Sequence, residues 1–317
     1  MFGEAFRQYS RIRSVNNEWV KNMGKDHSTA LPVKEQSERE RADRVLRDRM
    51  EQIGHKLLVL SGKGGVGKST VAANLATSLA RAGKTVGLLD IDIHGPSIPK
   101  LLGLEGSQVL GGDDLLLPVR SAEGVKVMSI GFLLPREDTA VVWRGPRKYH
   151  LIRQFLQQVD WGELDFLVVD APPGTGDEPL AVAELVRPRV SAVLVTTPQD
   201  LAVADVRRSV EFCKEVHLPV TGILENMSGL VCPNCGHRIE LFKSGGGEKL
   251  AKAAGLRFLG RIPIDPEIVD CGDSGRPFAA EPGTSPTAIA FSRAVESVLS
   301  ANPLPTVDEG RVIGAQG

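Results

Sequence analysis

Cysteine and the larger aromatics are scarce in this chain of 317 residues, with four Cys, two Tyr and three Trp. Four thiols do not make the framework of a small disulfide-stapled secreted protein. Two of them, Cys232 and Cys235, lie close together, which points to a metal or redox site in a reducing compartment. Long hydrophobic runs are also missing, and nothing approaches the ~20 apolar residues that cross a bilayer. Met1–Ser10 has no apolar signal core, and Leu304–Gly317 lacks the basic amphipathic pattern of a membrane-targeting helix. The expectation is a cytoplasmic protein with no membrane partner. Charge of one sign is absent as well: 38 Lys+Arg against 39 Asp+Glu leave a formal net charge of -1, which gives no global attraction to nucleic acid.

What is present is an ordinary globular composition, 42% hydrophobic and 24% charged, long enough for one large domain with short extensions. Residues 1–54 read as a charged N-terminal arm with one partly docked helix along Val45, Leu46, Met50 and Ile53. Residues 55–301 read as the main domain, with a Cys-x-x-Cys insertion near 230–237, and residues 302–317 as a flexible tail. Through the main domain, short apolar runs alternate with helical stretches. Leu57–Leu60, Val86–Asp90, Val125–Ile130, Phe166–Asp170, Ala192–Thr196, Val220–Leu224 and Phe258–Ile262 are strand-like, near-continuously apolar and therefore suited to burial on both faces. The rhythm predicts an α/β fold with a doubly wound, mostly parallel sheet, whose ligands gather at the carboxyl ends of its strands.

At the first of those ends stands Gly62-Lys63-Gly64-Gly65-Val66-Gly67-Lys68-Ser69-Thr70, which fits the G-x-x-x-x-G-K-[ST] phosphate loop. Glycines let the backbone wrap a polyphosphate with its N–H groups, and the following helix, amphipathic over Val71–Arg81, adds the positive end of its dipole. Lys68 is assigned to the β/γ-phosphates and Ser69 to Mg2+. Lys63 is a second lysine that a plain phosphate loop does not require, and the residues alone also allow a solvated surface side chain there.

The next strands deliver carboxylates. Val86–Asp90 leads into Asp90-Ile91-Asp92, and Asp92 is assigned the positioning of the attacking water. His94, a little further on, reads as a surface loop residue. Phe166–Asp170 has the form of a Walker-B strand whose Asp170 reaches Mg2+, and the Pro172-Pro173-Gly174-Thr175-Gly176 turn after it suits a nucleotide-sensitive switch.

Cys232-Pro233-Asn234-Cys235-Gly236-His237 offers two thiolates at a spacing that grips one metal or one edge of a cluster. Zinc and 4Fe-4S sites usually want four ligands. Cys213 has helical spacing with Val203, Val206 and Val210, as a core thiol does, and Cys271 is a weak candidate. A two-fold axis through the pair would complete the count, while zinc and a thioredoxin-like dithiol remain open on the chemistry alone.

With GKGGVGKST, DIDIHGPSIPKLLG, WRGP (Trp143–Pro146), VVDAPPGTGDE, ENMSGLVCPNCG and IPIDPEI in order over residues 56–280, the chain resembles the Mrp/ApbC-type P-loop ATPases, relatives of the MinD, ParA and nitrogenase iron-protein group. The resemblance implies a deviant Walker A in which Lys63 reaches the phosphates of a partner subunit. It implies that Asn226, Pro263 and Asp265 flank the adenine. It implies a homodimeric ATPase, using ATP and Mg2+, that holds a bridging 4Fe-4S cluster on Cys232 and Cys235 of each subunit. Its partners are then cluster assembly factors and the apo iron-sulfur proteins that receive the cluster. Residues 1–54 contain no cysteine, so no second cluster is expected there. The alternative is a MinD/ParA-like positioning ATPase with a zinc-stapled dimer.

Overall fold

The computed structural model describes residues 33–92, 95–112, 115–133, 145–232, 235–280, 283 and 285–304. His94, Trp143 and Arg144, Pro233 and Asn234, and the tail from residue 305 lie outside them. Two compact units divide the chain, Met1–Val45 and Leu46–Gly317. In the first, helix α1 (Val33–Glu51) begins, and Val45 is exposed.

The second unit opens with the last turns of that helix, where Leu46 and Met50 are buried. It continues through β1 (Ile53–Ser61), α2 (Lys68–Arg81), β2 (Val86–Asp90), α3 (Ile98–Leu101), β3 (Leu110–Gly111), β4 (Leu116–Leu117), β5 (Val119–Arg120), β6 (Lys126–Ser129), α4 (Gly145–Gln158) and β7 (Leu164–Asp170). There follow α5 (Asp177–Leu185), β8 (Val190–Thr196), α6 (Asp200–Glu215), β9 (Val220–Glu225), β10 (Leu230–Val231), β11 (Arg238–Ile239), α7 (Gly246–Ala254), β12 (Phe258–Arg261), α8 (Pro266–Asp273) and α9 (Pro286–Ala301).

Eight strands form one sheet in the order β12-β9-β8-β1-β7-β2-β6-β5. Every pairing is parallel except β5 with β6, so the doubly wound architecture expected from the apolar runs is the one observed. Successive side chains of a strand point to opposite faces, and β1 divides accordingly. Leu57 and Val59 join a core with Val71, Leu75 and Leu79 of α2 and with Phe291, Val295 and Val298 of α9. Leu58 and Leu60 join the other, with Phe155 of α4, Val182 of α5, Val206 of α6 and Leu250 of α7. Fully burying one such side chain contributes about 1.5–3 kcal/mol, which is why nearly every residue of these strands is apolar.

The apolar stripe at Leu46, Met50 and Ile53 divides between a helix end and a strand, because Ile53 opens β1 and is fully buried opposite Leu164. Lys56 is also fully buried in β1. Its ammonium donates to the Met50 carbonyl at 2.8 Å and lies 3.4 Å from that of Ile53, closing the C-terminal turn of α1. Beyond α9, Asn302 is buried and bonds Ser191 at 3.1 Å, so the chain stays docked to the sheet there.

The sheet's two borders are both irregular. β5 runs against its neighbour for only two residues, and β12 carries a bulge between Phe258 and Gly260, with Gly260 at φ 142°. Both strand-end carboxylates, Asp90 and Asp170, sit in register on neighbouring β2 and β7.

Candidate functional site

The phosphate loop joins β1 to α2. Gly65 and Gly67 have φ of 80° and 79°, the left-handed region that glycine enters without strain, and they turn the loop's amides inward ahead of the first helical turn. Gly62 lies so close to α6 that an added Cβ would stand 2.3 Å from the Asp205 carbonyl carbon. Val66 is buried in the core beneath α2 and pins the loop from below. Gly64 and Gly65 are exposed, while Lys63, Ser69 and Thr70 are half-buried. Among the described residues the Lys63 ammonium makes no hydrogen bond or ion pair.

Lys68 lies at the centre of the site. Its Nζ donates to Asp170 Oδ1 at 2.5 Å, approaches Asp92 Oδ2 at 3.5 Å and reaches Ser69 Oγ at 3.3 Å. The sequence-predicted Lys68, Ser69, Asp92 and Asp170 therefore converge on one spot. Burial raises the pKa of the Asp170 carboxyl, and the Lys68 ammonium opposes the rise. Asp90 is pushed up to about 8 by burial and by the neighbouring Asp170, while its oxygens accept from Ser129 Oγ at 2.9 Å and the Asp92 amide at 3.1 Å. A carboxyl held neutral near pH 7 lets two aspartates share the end of the sheet without mutual repulsion.

The turn after Asp170 is tied back to the loop, since the Gly174 amide donates to the Ser61 carbonyl at 2.8 Å. Its far side is fixed by Lys148 of α4, which donates to Glu178 of α5 at 2.5 Å. That pair is not visible in any motif, because the two residues are brought together only by helix packing.

Asn226, just past β9, is buried, and its amide donates to the Val66 carbonyl at 2.9 Å. An added Cβ on Gly67 would meet that amide nitrogen at 2.3 Å. Asn226 is thus in direct contact with the phosphate loop. Pro263 and Asp265 are half-buried in the turn after β12. Asp265 caps α8 through the Glu267 amide at 3.1 Å and accepts from Thr287 Oγ1 at 2.6 Å.

The cysteine pair lies on a hairpin. β10 and β11 are antiparallel, the Cys232 amide donates to the His237 carbonyl at 2.9 Å, and the Gly236 amide to the Cys232 carbonyl at 2.9 Å. Gly236 has φ 70°, so the chain turns sharply behind Cys235. Cys232 is half-buried, and Cys235 and His237 are exposed. The hairpin is joined to the Pro263–Asp265 turn by the Ile264 amide, which donates to the Gly229 carbonyl at 2.7 Å. Cys213 is fully buried in α6 with its thiol pushed up to about 12 by burial, as a core residue. Cys271 is half-buried in α8 and packs against the core that α2 and α9 share. Among the described residues no three His, Cys, Asp or Glu side chains form a group able to hold a metal ion.

The loop, its lysine and the paired strand-end aspartates are the signature of a P-loop NTPase of the MinD and ParA fold type. MinD from Pyrococcus furiosus superimposes with a TM-score of 0.57, over 78% of this chain and 99% of that one, at 22% identity, which speaks for fold alone. Sequence goes further: the model of the ParA group described as NUBPL iron-transfer P-loop NTPase matches residues 52–299, and the chain belongs to that family. The iron-sulfur cluster carrier protein of Methanocaldococcus jannaschii is 51% identical over 235 residues, 74% of this chain and 81% of that protein. The cytosolic Fe-S cluster assembly factor NUBP2 of Bos taurus is 49% identical over 255 residues, 79% of this chain and 94% of that one. A nucleotide-binding protein of Archaeoglobus fulgidus, solved in complex with ADP, is 45% identical with a TM-score of 0.68, covering 76% of this chain and 94% of that one.

Proposed function

We propose that this chain is a homodimeric ATPase that carries a 4Fe-4S cluster on Cys232 and Cys235 of two subunits and passes it to apo iron-sulfur proteins. The observation that carries the reading is the junction of the two sites: Cys232 lies six residues beyond Asn226, whose amide holds the phosphate loop. A cargo site built on that short a tether senses the nucleotide. Two thiolates per chain, with no third ligand among the described residues, support sharing across a two-fold axis. The named roles of the relatives support iron-sulfur cargo and a cytosolic setting. Among the described residues no helix is long and apolar enough to cross a membrane.

Residues at the loop suit Mg2+ and ATP. Asp170 Oδ2 is buried without a hydrogen-bond partner among the described residues, and the Ser69 hydroxyl lies beside that carboxylate, so the two residues offer oxygen donors of the kind a hard divalent cation takes. Bound there, Mg2+ would neutralise charge on the β- and γ-phosphates. Lys68 exchanges its Asp170 partner for phosphate oxygens when nucleotide enters. Asp92 orients the attacking water, and Lys63 reaches the phosphates of the second subunit. The adenine lies against Asn226, Pro263 and Asp265. ATP acts as a switch: nucleotide draws the subunits together and hydrolysis relaxes them, so that cluster retention follows nucleotide state through differential contacts. Cys235, exposed at the rim, is where an acceptor protein gains access.

Anaerobic reconstitution with iron and sulfide is the test. About one 4Fe-4S per dimer is expected as broad visible absorption. The Cys232→Ser, Cys235→Ser variant should lose it while still binding ATP. Protein that holds zinc tightly and rejects iron overturns the carrier reading.

A further inference from the structure

Two adjacent residues at the end of β9 reach to different places. Asn226 holds the phosphate loop through the Val66 carbonyl at 2.9 Å. Glu225, fully buried, turns its carboxylate the other way, accepting from Ser228 Oγ at 2.5 Å, the Gly245 amide at 2.8 Å and the Gly247 amide at 2.6 Å. Ser228 and Gly245 are the two feet of the segment that bears Cys232 and Cys235. The first foot is sewn further to Ile262, the residue after β12, since the Ser228 amide donates to the Ile262 carbonyl at 2.9 Å and the Ile262 amide to the Glu225 carbonyl at 2.8 Å. The second is packed hard against the β8–α6 connection, where an added Cβ on Gly246 would stand 2.6 Å from the Pro198 carbonyl oxygen.

A buried carboxylate is costly unless its lone pairs are filled, and here three donors fill them. Those donors come from residues three, twenty and twenty-two positions away, so the charge is the knot that gathers both feet of the hairpin. No flexible side chain or free loop separates the knot from Asn226; one peptide unit does. A shift of the phosphate loop therefore has a stiff path to both feet, in a packed setting that moves between discrete arrangements rather than deforming smoothly.

We propose that Glu225 is a positioning residue that transmits the state of the phosphate loop to Cys232 and Cys235, with Asn226 as its contact to the loop. The inference rests on the reading of these cysteines as the cargo site. It assigns Glu225 no contact with nucleotide or cluster.

The experiment uses the full chain free of iron, iodoacetamide as thiol probe, and Mg2+ with a non-hydrolysable ATP analogue. Peptide mass spectrometry follows Cys232 and Cys235 separately, with buried Cys213 as the slow internal reference. In the wild type the analogue should change the alkylation rate of the pair by about fivefold or more, the lower end of usual coupling between sites. Glu225→Gln turns one acceptor into a donor facing backbone amides; it should still bind the analogue and lose the change. Ser228→Ala removes one donor of the three, keeps the fold if the first variant does not, and should show a reduced change. A wild type without a nucleotide effect, or either variant with the full wild-type effect, overturns the proposal. Because no iron is used, failed cluster loading on reconstitution would sink the cargo reading without touching this result, and normal loading with no nucleotide effect on the thiols would sink the coupling and leave the cargo site standing.

Discussion

Lys68 Nζ and Asp170 Oδ1 lie 2.5 Å apart, with the two side chains 6% and 0% exposed. The first residue of α2 and the last of β7 are thereby fastened by a buried ion pair, in which the Lys68 ammonium offsets the burial of the Asp170 carboxyl.

Removing one member strands the other. Lys68→Ala is expected to cost about 3–5 kcal/mol of stability through the unpaired buried carboxylate, and to abolish ATP binding. Adding Asp170→Asn should restore most of the stability and none of the binding. Lys63→Ala, at a half-buried site with no partner among the described residues, should change stability by under ~0.5 kcal/mol, leave ATP binding intact and depress hydrolysis. Denaturant titration and calorimetry with ATP separate the variants; equal damage to binding from both lysines argues against a cross-subunit role for Lys63.

Gly67→Ala should fail for two reasons that can be pulled apart. An L-residue at φ 79° costs about 1–2 kcal/mol, and its Cβ would meet Asn226 Nδ2 at 2.3 Å. ATP affinity is expected to fall at least ~10-fold, about 1.4 kcal/mol. The Gly67→Ala, Asn226→Ala double variant relieves the contact but not the backbone strain, so against Asn226→Ala alone it should lose only the ~1–2 kcal/mol of the strain, read by denaturant titration. Unchanged affinity in the single variant would mean the loop is not gripped as described.

Lys56 provides a pH dependence far from the nucleotide. Burial first, and Arg189 next, bring its ammonium down to about 7, with Glu51 opposing. The unfolded chain keeps that proton up to about pH 10.4. Between about pH 7 and 10 the unfolded state therefore binds more protons, and stability gains from this group as pH rises. Relative to Lys56→Met, the wild type should be least stable below pH 7 and improve through that window. Urea unfolding at pH 6, 8 and 9.5 checks the sign, and a difference that is flat with pH refutes it.

Much of the architecture was legible because doubly covered strands must be apolar throughout. Val86–Asp90 is both the expected and the observed strand, and the other six expected strands lie at the cores of observed ones or within a residue of them. The phosphate loop was legible for a related reason, since few other arrangements need that density of glycine beside a lysine and a serine. Ile53 fits the helical stripe because it stands three residues from Met50, and only pairing with Leu164 places it in a strand instead. Lys56 and Glu225 were invisible for a common cause: charged residues are rarely fully buried, and what permits it here is a helix end and a set of backbone amides that the local sequence does not announce. Asn226 was placed by resemblance alone, and its grip on Val66 has no local signature.

The irregular borders of the sheet bear on how copies of this chain can meet. A straight, unpaired edge strand invites another chain to add itself backbone to backbone. Here one edge is a two-residue antiparallel stub and the other is kinked at Gly260, so neither offers a template. The second copy of the homodimer proposed above would then approach the rim where the strands end. In that homodimer, two copies joined there would part without tearing a continuous sheet.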